Sequence, residues 1–203
     1  DLYLPYKPKR KTRASVAREK GLEPLAIEIF KQRNIDLEIE AEKFVDEELG
    51  VKNIEDAISG AGDIIAETVN EDADLRKSLR ILFKQKARIT SSVIKSKIGE
   101  AAKYENYFKW SEPLIKAPSH RVLAVFRGEN EGFLRVDVSP EEEDAINIIN
   151  RRFVKASNSC ANEVKKAIKD SYKRLLQPSL ETELRNEAKE LADEKAIEVF
   201  VEN

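Results

Sequence analysis

Two groups of basic side chains are the parts of this sequence best suited to chemistry with a ligand. Lys7, Lys9, Arg10, Lys11, Arg13 and Arg18 fall within the first 20 residues. Their charged heads suit phosphate oxygens, and such contacts position a nucleic acid without reading its sequence. The second group is Arg151, Arg152, Lys165, Lys166, Lys169 and Lys173. Positions 165, 166, 169 and 173 fall on neighbouring faces of one helix, so a basic stripe is expected there. The competing reading for both groups is a solvated edge, or cations neutralised by the chain's own acids. Tyr104, Tyr107, Phe108 and Trp110, interleaved with Lys103 and Lys109, have the composition of a base-stacking surface. Their i, i+3, i+4 spacing fits a core-facing helix better.

Catalytic chemistry is poorly supplied. His120 is the sole imidazole, and the spacing implies no acid or thiol partner for it. Cys160 stands at a helix start, where a thiol becomes more acidic, yet a small packed residue is the expected role. One cysteine makes no internal disulfide and no thiolate metal cluster. No nucleophile–base pair, metal-ligand spacing or phosphate loop is present, so no enzyme and no cofactor are expected. Gly60 and Gly62 lie within a helical stripe without a preceding strand, so they are read as close helix packing.

Helices must position these groups. The expected order begins with a helix over 13–20, capped by Thr12 and stopped by Gly21. A second opens at Pro24, a third runs from Asp36 to Leu49, and a fourth starts at the N-cap Asn53 and carries Ile54, Ala57, Ile58, Ala61, Ile65 and Val69. A helix near 71–85 follows. Arg88–Lys95 (RITSSVIK) and Phe133–Val138 (FLRVDV) are the strand candidates, pairing as one small sheet. Between them a short helix near 100–108 is expected. The stretch 121–128 is open between a helix capped by Ser119 and a strand, with the helix preferred. Ser139-Pro140-Glu141-Glu142 reads as a capping box, a further helix covers about 158–176, Pro178-Ser179 breaks the chain, and a long helix runs over 180–201.

The composition sets the class. The 203 residues carry 36 basic and 38 acidic side chains, a net charge of -2, with 41% hydrophobic and 36% charged residues. That charged share exceeds the roughly 25% of an ordinary domain, as long amphipathic helices require. The net charge hides an asymmetry: residues 1–20 sum to +5 and the remainder to -7. No apolar run approaches the ~20 residues of a membrane span. A reducing, cytoplasmic compartment is expected. Methionine is absent even at position 1, as expected of an internal fragment.

The opening stretch DLYLPYKPKRKTRASVAREKGLEPLA (1–26), GAGDIIAE (60–67), GEAAKYENYFKWSEPLIKAPSHRVLAVFRGENEG (99–132) and SYKRLLQPSLETELRNEAKELADEKAIEVF (171–200) resemble the bacterial Tex family of transcription accessory proteins. The resemblance spans essentially the whole chain. It implies a multihelical N-terminal region with a helix-turn-helix-like part over 1–178. It also implies the start of a long central helix over 179–203, leading to an RNase H-like YqgF domain that this chain lacks. Helix-hairpin-helix elements and an OB-fold RNA-binding domain would lie further on. The expected fold is mainly α: a multihelical orthogonal bundle with one small β element (about 88–95 with 132–138) and a long C-terminal helix. The expected role is a helical scaffold and interaction region in a nucleic-acid-binding protein. Nucleic acid (RNA or DNA) would be bound mainly through absent domains, with RNA polymerase or other transcription proteins as partners, no membrane, and a monomeric state. The alternative is a protein–protein docking module with no direct nucleic-acid contact.

Overall fold

A computed structural model describes residues 10–202. It is mainly α-helical, with one small antiparallel sheet and a long last helix. The elements are α1 (Arg13–Glu19), α2 (Glu23–Lys31), α3 (Leu37–Glu42), α4 (Ile54–Glu71), α5 (Ala73–Lys86), β1 (Arg88–Val93), β2 (Lys109–Pro113), α6 (Ser119–Asn130), β3 (Leu134–Ser139), α7 (Glu142–Phe153), α8 (Ser159–Ser171) and α9 (Gln177–Glu202). Two compact units result: the described chain up to Asp72 with Ile149–Tyr172, and Ala73–Ile148 with the chain from Lys173 onward.

The first unit is organised by α4. Asn53 caps it by accepting from the Asp56 N–H at 2.8 Å, and Ala57, Ala61, Ile64, Ile65 and Val69 are buried. Its small residues let α8 pack closely through Val164, Ala167 and Ile168. The Ser171 hydroxyl donates to the Ala66 carbonyl at 2.7 Å inside this interface. Thr12 and Ser15 close a capping box on α1, and Gly21 turns the chain at φ +75, the left-handed region that favours glycine. Gln32 takes a left-handed φ of 54 without being glycine. Its side chain donates to the Phe153 carbonyl at 2.7 Å and accepts from the Lys155 N–H at 2.8 Å. These bonds hold the costly conformation.

The expected helix from Asp36 to Leu49 is much shorter. It ends at Glu42, and the Asp46 carboxylate then accepts from the Glu48 and Leu49 N–H groups. Such local bonding competes with helix continuation. Leu37 and Ala41 are the buried residues of α3, whereas Ile39 is exposed.

In the second unit the strand order is β2-β1-β3, both pairs antiparallel. Ile89 pairs with Val138, and Ser91 with Val136, so alternate residues Ile89, Ser91, Leu134, Val136 and Val138 are buried. Strand β2 was not expected: KWSEP is charged and ends in proline, which an edge strand tolerates. The short helix expected near 100–108 is 3₁₀ over Ala102–Tyr107.

Several local signals read differently in place. Residues 121–128 are helical, within α6, but Pro118 rather than Ser119 occupies the N-cap, and the helix passes Gly128 to close at Gly132. Ser139 ends β3, and α7 begins at Glu142, so the expected capping box is not formed. Pro178 does not break the chain. A π-helical stretch, Tyr172–Leu176, leads directly into α9, with Pro178 at its second position. The wider i to i+5 spacing is one way a helix absorbs proline's missing donor.

Helix α9 covers the free edge of β3. The Glu181 carboxylate accepts from the Val138 N–H at 2.8 Å, and Arg185 donates to the Val136 carbonyl at 2.8 Å. Arg185 also pairs with Glu129 and lies 5.2 Å from the Phe126 ring centre. Glu183 takes a two-point contact from Arg80, at 2.8 and 3.2 Å. Side chains thus occupy edge groups that would otherwise invite another strand. Farther along α9, Ile197, Val199, Phe200 and Val201 are exposed.

Candidate nucleic-acid interface

The basic arm divides once its surroundings are known. Lys7 and Lys9 lie outside the described residues. Arg10 and Lys11 are exposed just before α1, and Lys11 reaches Glu19 at 3.5 Å. Arg18 is committed to its own unit: its guanidinium donates to Glu67 at 2.6 Å and lies 3.4 Å from Glu23. The hydrogen bond to Glu67 raises the Arg18 pKa further. Glu67 also accepts from the Thr12 hydroxyl at 3.0 Å, so one carboxylate ties the cap and the last turn of α1 to α4. Arg13 opens α1, exposed and without an ion pair among the described residues.

The second basic group divides in the same way. Arg152 reaches Asp72 at 2.9 Å and lies 5.7 Å from the Phe153 ring centre. Lys166 pairs with Glu163 at 2.7 Å and Lys173 with Glu142 at 3.3 Å. Arg151, Lys165 and Lys169 are exposed, with no ion pair among the described residues. Lys165 and Lys169 stand one turn apart on α8, a spacing that puts both on one face. The expected stripe is therefore shorter than the sequence implies.

The aromatic cluster is only partly committed to the core. Tyr104 is buried, with its pKa raised by that burial and by its hydrogen bond to Glu131. Lys103 pairs with Glu131 and lies 5.1 Å from the Tyr104 ring centre. Tyr107 and Trp110 meet edge to face at 5.5 Å, both half-buried. Cys160 is fully buried, and burial pushes its thiol pKa up, opposite to the acidification a helix start suggests. His120 is exposed at the second position of α6. Among the described residues no three His, Cys, Asp or Glu side chains converge to hold a metal.

Two features escaped the sequence reading. One is the junction of Glu129, Glu181, Glu183 and Arg185, which only the resemblance signalled, through GENEG and LETELR. The other is Gly62. Gly60 packs closely as expected, since an added Cβ would meet Leu22 Cδ1 at 2.4 Å. Gly62 has nothing within 4 Å of such a Cβ and faces open space.

Comparison with known proteins agrees with the resemblance. The family described as Tex central region-like matches residues 32–200. The chain is 42% identical over its whole length to protein YdcI of Bacillus subtilis, of which it covers 29%. It is 38% identical to protein YhgF of Escherichia coli and 37% identical to the transcriptional accessory protein Tex of Neisseria gonorrhoeae, again over its whole length, covering 28% and 27% of them. It thus spans less than a third of the length of these relatives. With a family match over most of its residues and full-length similarity to such proteins, this chain belongs to the Tex family.

Proposed function

We propose that this chain is a helical scaffold and interaction region of a transcription accessory protein whose nucleic-acid contacts lie mainly in other domains. The observation that carries the reading is how the resemblance-bearing runs are used. Glu129, Glu181, Glu183 and Arg185 hold α9 against β3, α5 and α6. The basic groups point the same way, because Lys11, Arg18, Arg152, Lys166 and Lys173 each face a carboxylate of their own unit. The name of the Neisseria gonorrhoeae relative supports the transcription role. The region works in the cytoplasm without turnover, beside RNA polymerase or other transcription proteins. It retains a weak phosphate-contacting face at Arg151, Lys165 and Lys169, with Arg10 and Arg13 as auxiliary cations.

A salt series with the purified chain and labelled RNA and DNA oligonucleotides tests this. Binding is expected in the range of about 10⁻⁴–10⁻⁶ M typical of non-specific contacts, and to fall steeply with salt. Replacing Arg151, Lys165 and Lys169 by glutamine is expected to weaken it several-fold. Tighter, sequence-selective binding by the chain alone would sink the scaffold reading.

A further inference from the structure

The sheet of the second unit has two edges, and the chain treats them differently. Outward groups of β3 are taken by α9, through Glu181 on the Val138 N–H and Arg185 on the Val136 carbonyl. The other edge is β2, which pairs with β1 alone. In an antiparallel pair, residues that exchange hydrogen bonds alternate with residues whose main-chain groups point away. The Val93 N–H donates to the Phe108 carbonyl at 3.1 Å, and the Leu114 N–H donates to the Ala87 carbonyl at 2.9 Å. With Ser91 opposite Trp110 and Ile89 opposite Glu112, the exchanging residues within β2 are Trp110 and Glu112. The main-chain N–H and C=O groups of Lys109 and Ser111 therefore point away from β1. Among the described residues nothing hydrogen-bonds to them, and both residues are exposed.

The side chains beside this edge define what it fits. On the open face of the sheet the register sets Lys109 and Arg135 on either side of Ser92. Arg88 shares that face and donates to the Ser111 hydroxyl at 3.0 Å. None of these three cations has an ion pair among the described residues, and Asp137 is the one carboxylate at a strand position of this face. On the opposite face Glu112 is already held by Arg121 at 3.1 Å. That leaves Trp110, half-buried and in contact with Tyr107, beside the edge. An added strand lays alternate side chains on these two faces. Carboxylates on one side would meet Lys109 and Arg88, and apolar groups on the other would meet Trp110. A lysine on an edge guards against indiscriminate pairing. It disfavours a second copy of this chain, which would bring another Lys109 to the same edge, and it favours an acidic strand.

We propose that the outer edge of β2 accepts an extended segment of a protein partner as an added antiparallel strand, with acidic residues alternating with apolar ones. Lys109 and Ser111 make the main-chain bonds, as in other peptides that extend an exposed sheet edge. The acidic side chains face Lys109 and Arg88, and the apolar ones cover Trp110. This goes beyond the scaffold reading and does not depend on nucleic-acid binding.

Fluorescence anisotropy with the full chain tests it. The probe is a labelled peptide of about eight residues that alternates glutamate with valine. One sister peptide carries lysine in place of every glutamate. A second keeps every charge but is N-methylated at its glutamates, whose N–H groups face β2 in the antiparallel register. The parent peptide is expected to bind about tenfold more tightly than either sister. Lys109→Glu is expected to weaken its binding about tenfold. Ser111→Pro removes an outward N–H without touching the β1 ladder, and is expected to weaken binding several-fold. Ser111→Ala keeps that N–H, and Lys189→Glu makes the same charge change at an exposed position of α9; both are expected to leave binding unchanged. The N-methylated peptide keeps the test valid if Ser111→Pro misfolds, because there the protein is unaltered. Equal binding of the N-methylated peptide would overturn the proposal, since charge alone would then hold the probe. So would equal binding of the lysine peptide, intact binding by a folded Ser111→Pro chain, or equal loss with Ser111→Ala or Lys189→Glu. A dimer of this chain that Ser111→Pro dissociates would overturn it as well, since a second copy would then be the occupant.

Discussion

Gly128 gives the sharpest test of how the second unit is packed. It lies in α6, where alanine would ordinarily stabilise the helix by about 1 kcal/mol. An added Cβ would stand 2.6 Å from Leu134 Cδ1, 2.9 Å from Leu134 Cγ and 3.1 Å from Tyr104 Cδ1. Two leucine atoms are too close, so rotating one methyl does not clear the site. Leu134 is 2% exposed and begins a strand paired with β1, and the Phe133 N–H donates to the Gly128 carbonyl at 2.9 Å. Overpacking of this kind costs about 1–3 kcal/mol. With the helix gain subtracted, Gly128→Ala is expected to lose up to about 2 kcal/mol, lowering Tm by up to about 8 °C for a chain this size. Circular dichroism melts and urea titrations would measure it. A double-mutant cycle locates the cause. Leu134→Ala alone costs about 2–5 kcal/mol as a cavity, but in that background Gly128→Ala is expected to be neutral or stabilising by up to about 1 kcal/mol. Gly128→Ala that stabilises the parent chain, or costs as much without the Leu134 side chain, would refute the packing argument.

Three other outcomes follow from the same structure. Arg185→Met keeps the stem but strips the donors from the Val136 carbonyl and from Glu129, at an expected cost of about 1.5–3 kcal/mol in urea unfolding; no loss would mean that the β3 edge is not held by α9 in solution. Glu181 has its pKa raised, chiefly by burial, with Asp137 adding to the shift and Val138 and Arg185 opposing it. Because the unfolded chain then ionises first, stability falls as pH rises from the ordinary glutamate range through the folded pKa. Glu181→Gln is expected to flatten that fall above the ordinary glutamate range, and an unchanged pH profile would show that the group titrates normally. Cys160, protonated and buried, is expected to react with a maleimide only at the rate of unfolding, which mass spectrometry against urea would follow; rapid labelling of the native chain would contradict its burial.

The sequence determined the local chemistry. Thr12 and Asn53 were legible as caps because capping acts within three residues. The alternation of FLRVDV marked β3, and α4 and α5 showed their buried stripes, because both periods are properties of neighbouring residues. The shared runs pointed to the family. Tertiary structure decided which charges stay available, because Arg18 meets Glu67 and Arg152 meets Asp72, 49 and 80 residues away. It also made KWSEP an edge strand, carried the helix past Pro178 and left open space at Gly62. A side chain's type sets what it can bind. Whether its charge is already matched depends on which distant segment the fold places beside it, and no period or cap encodes that.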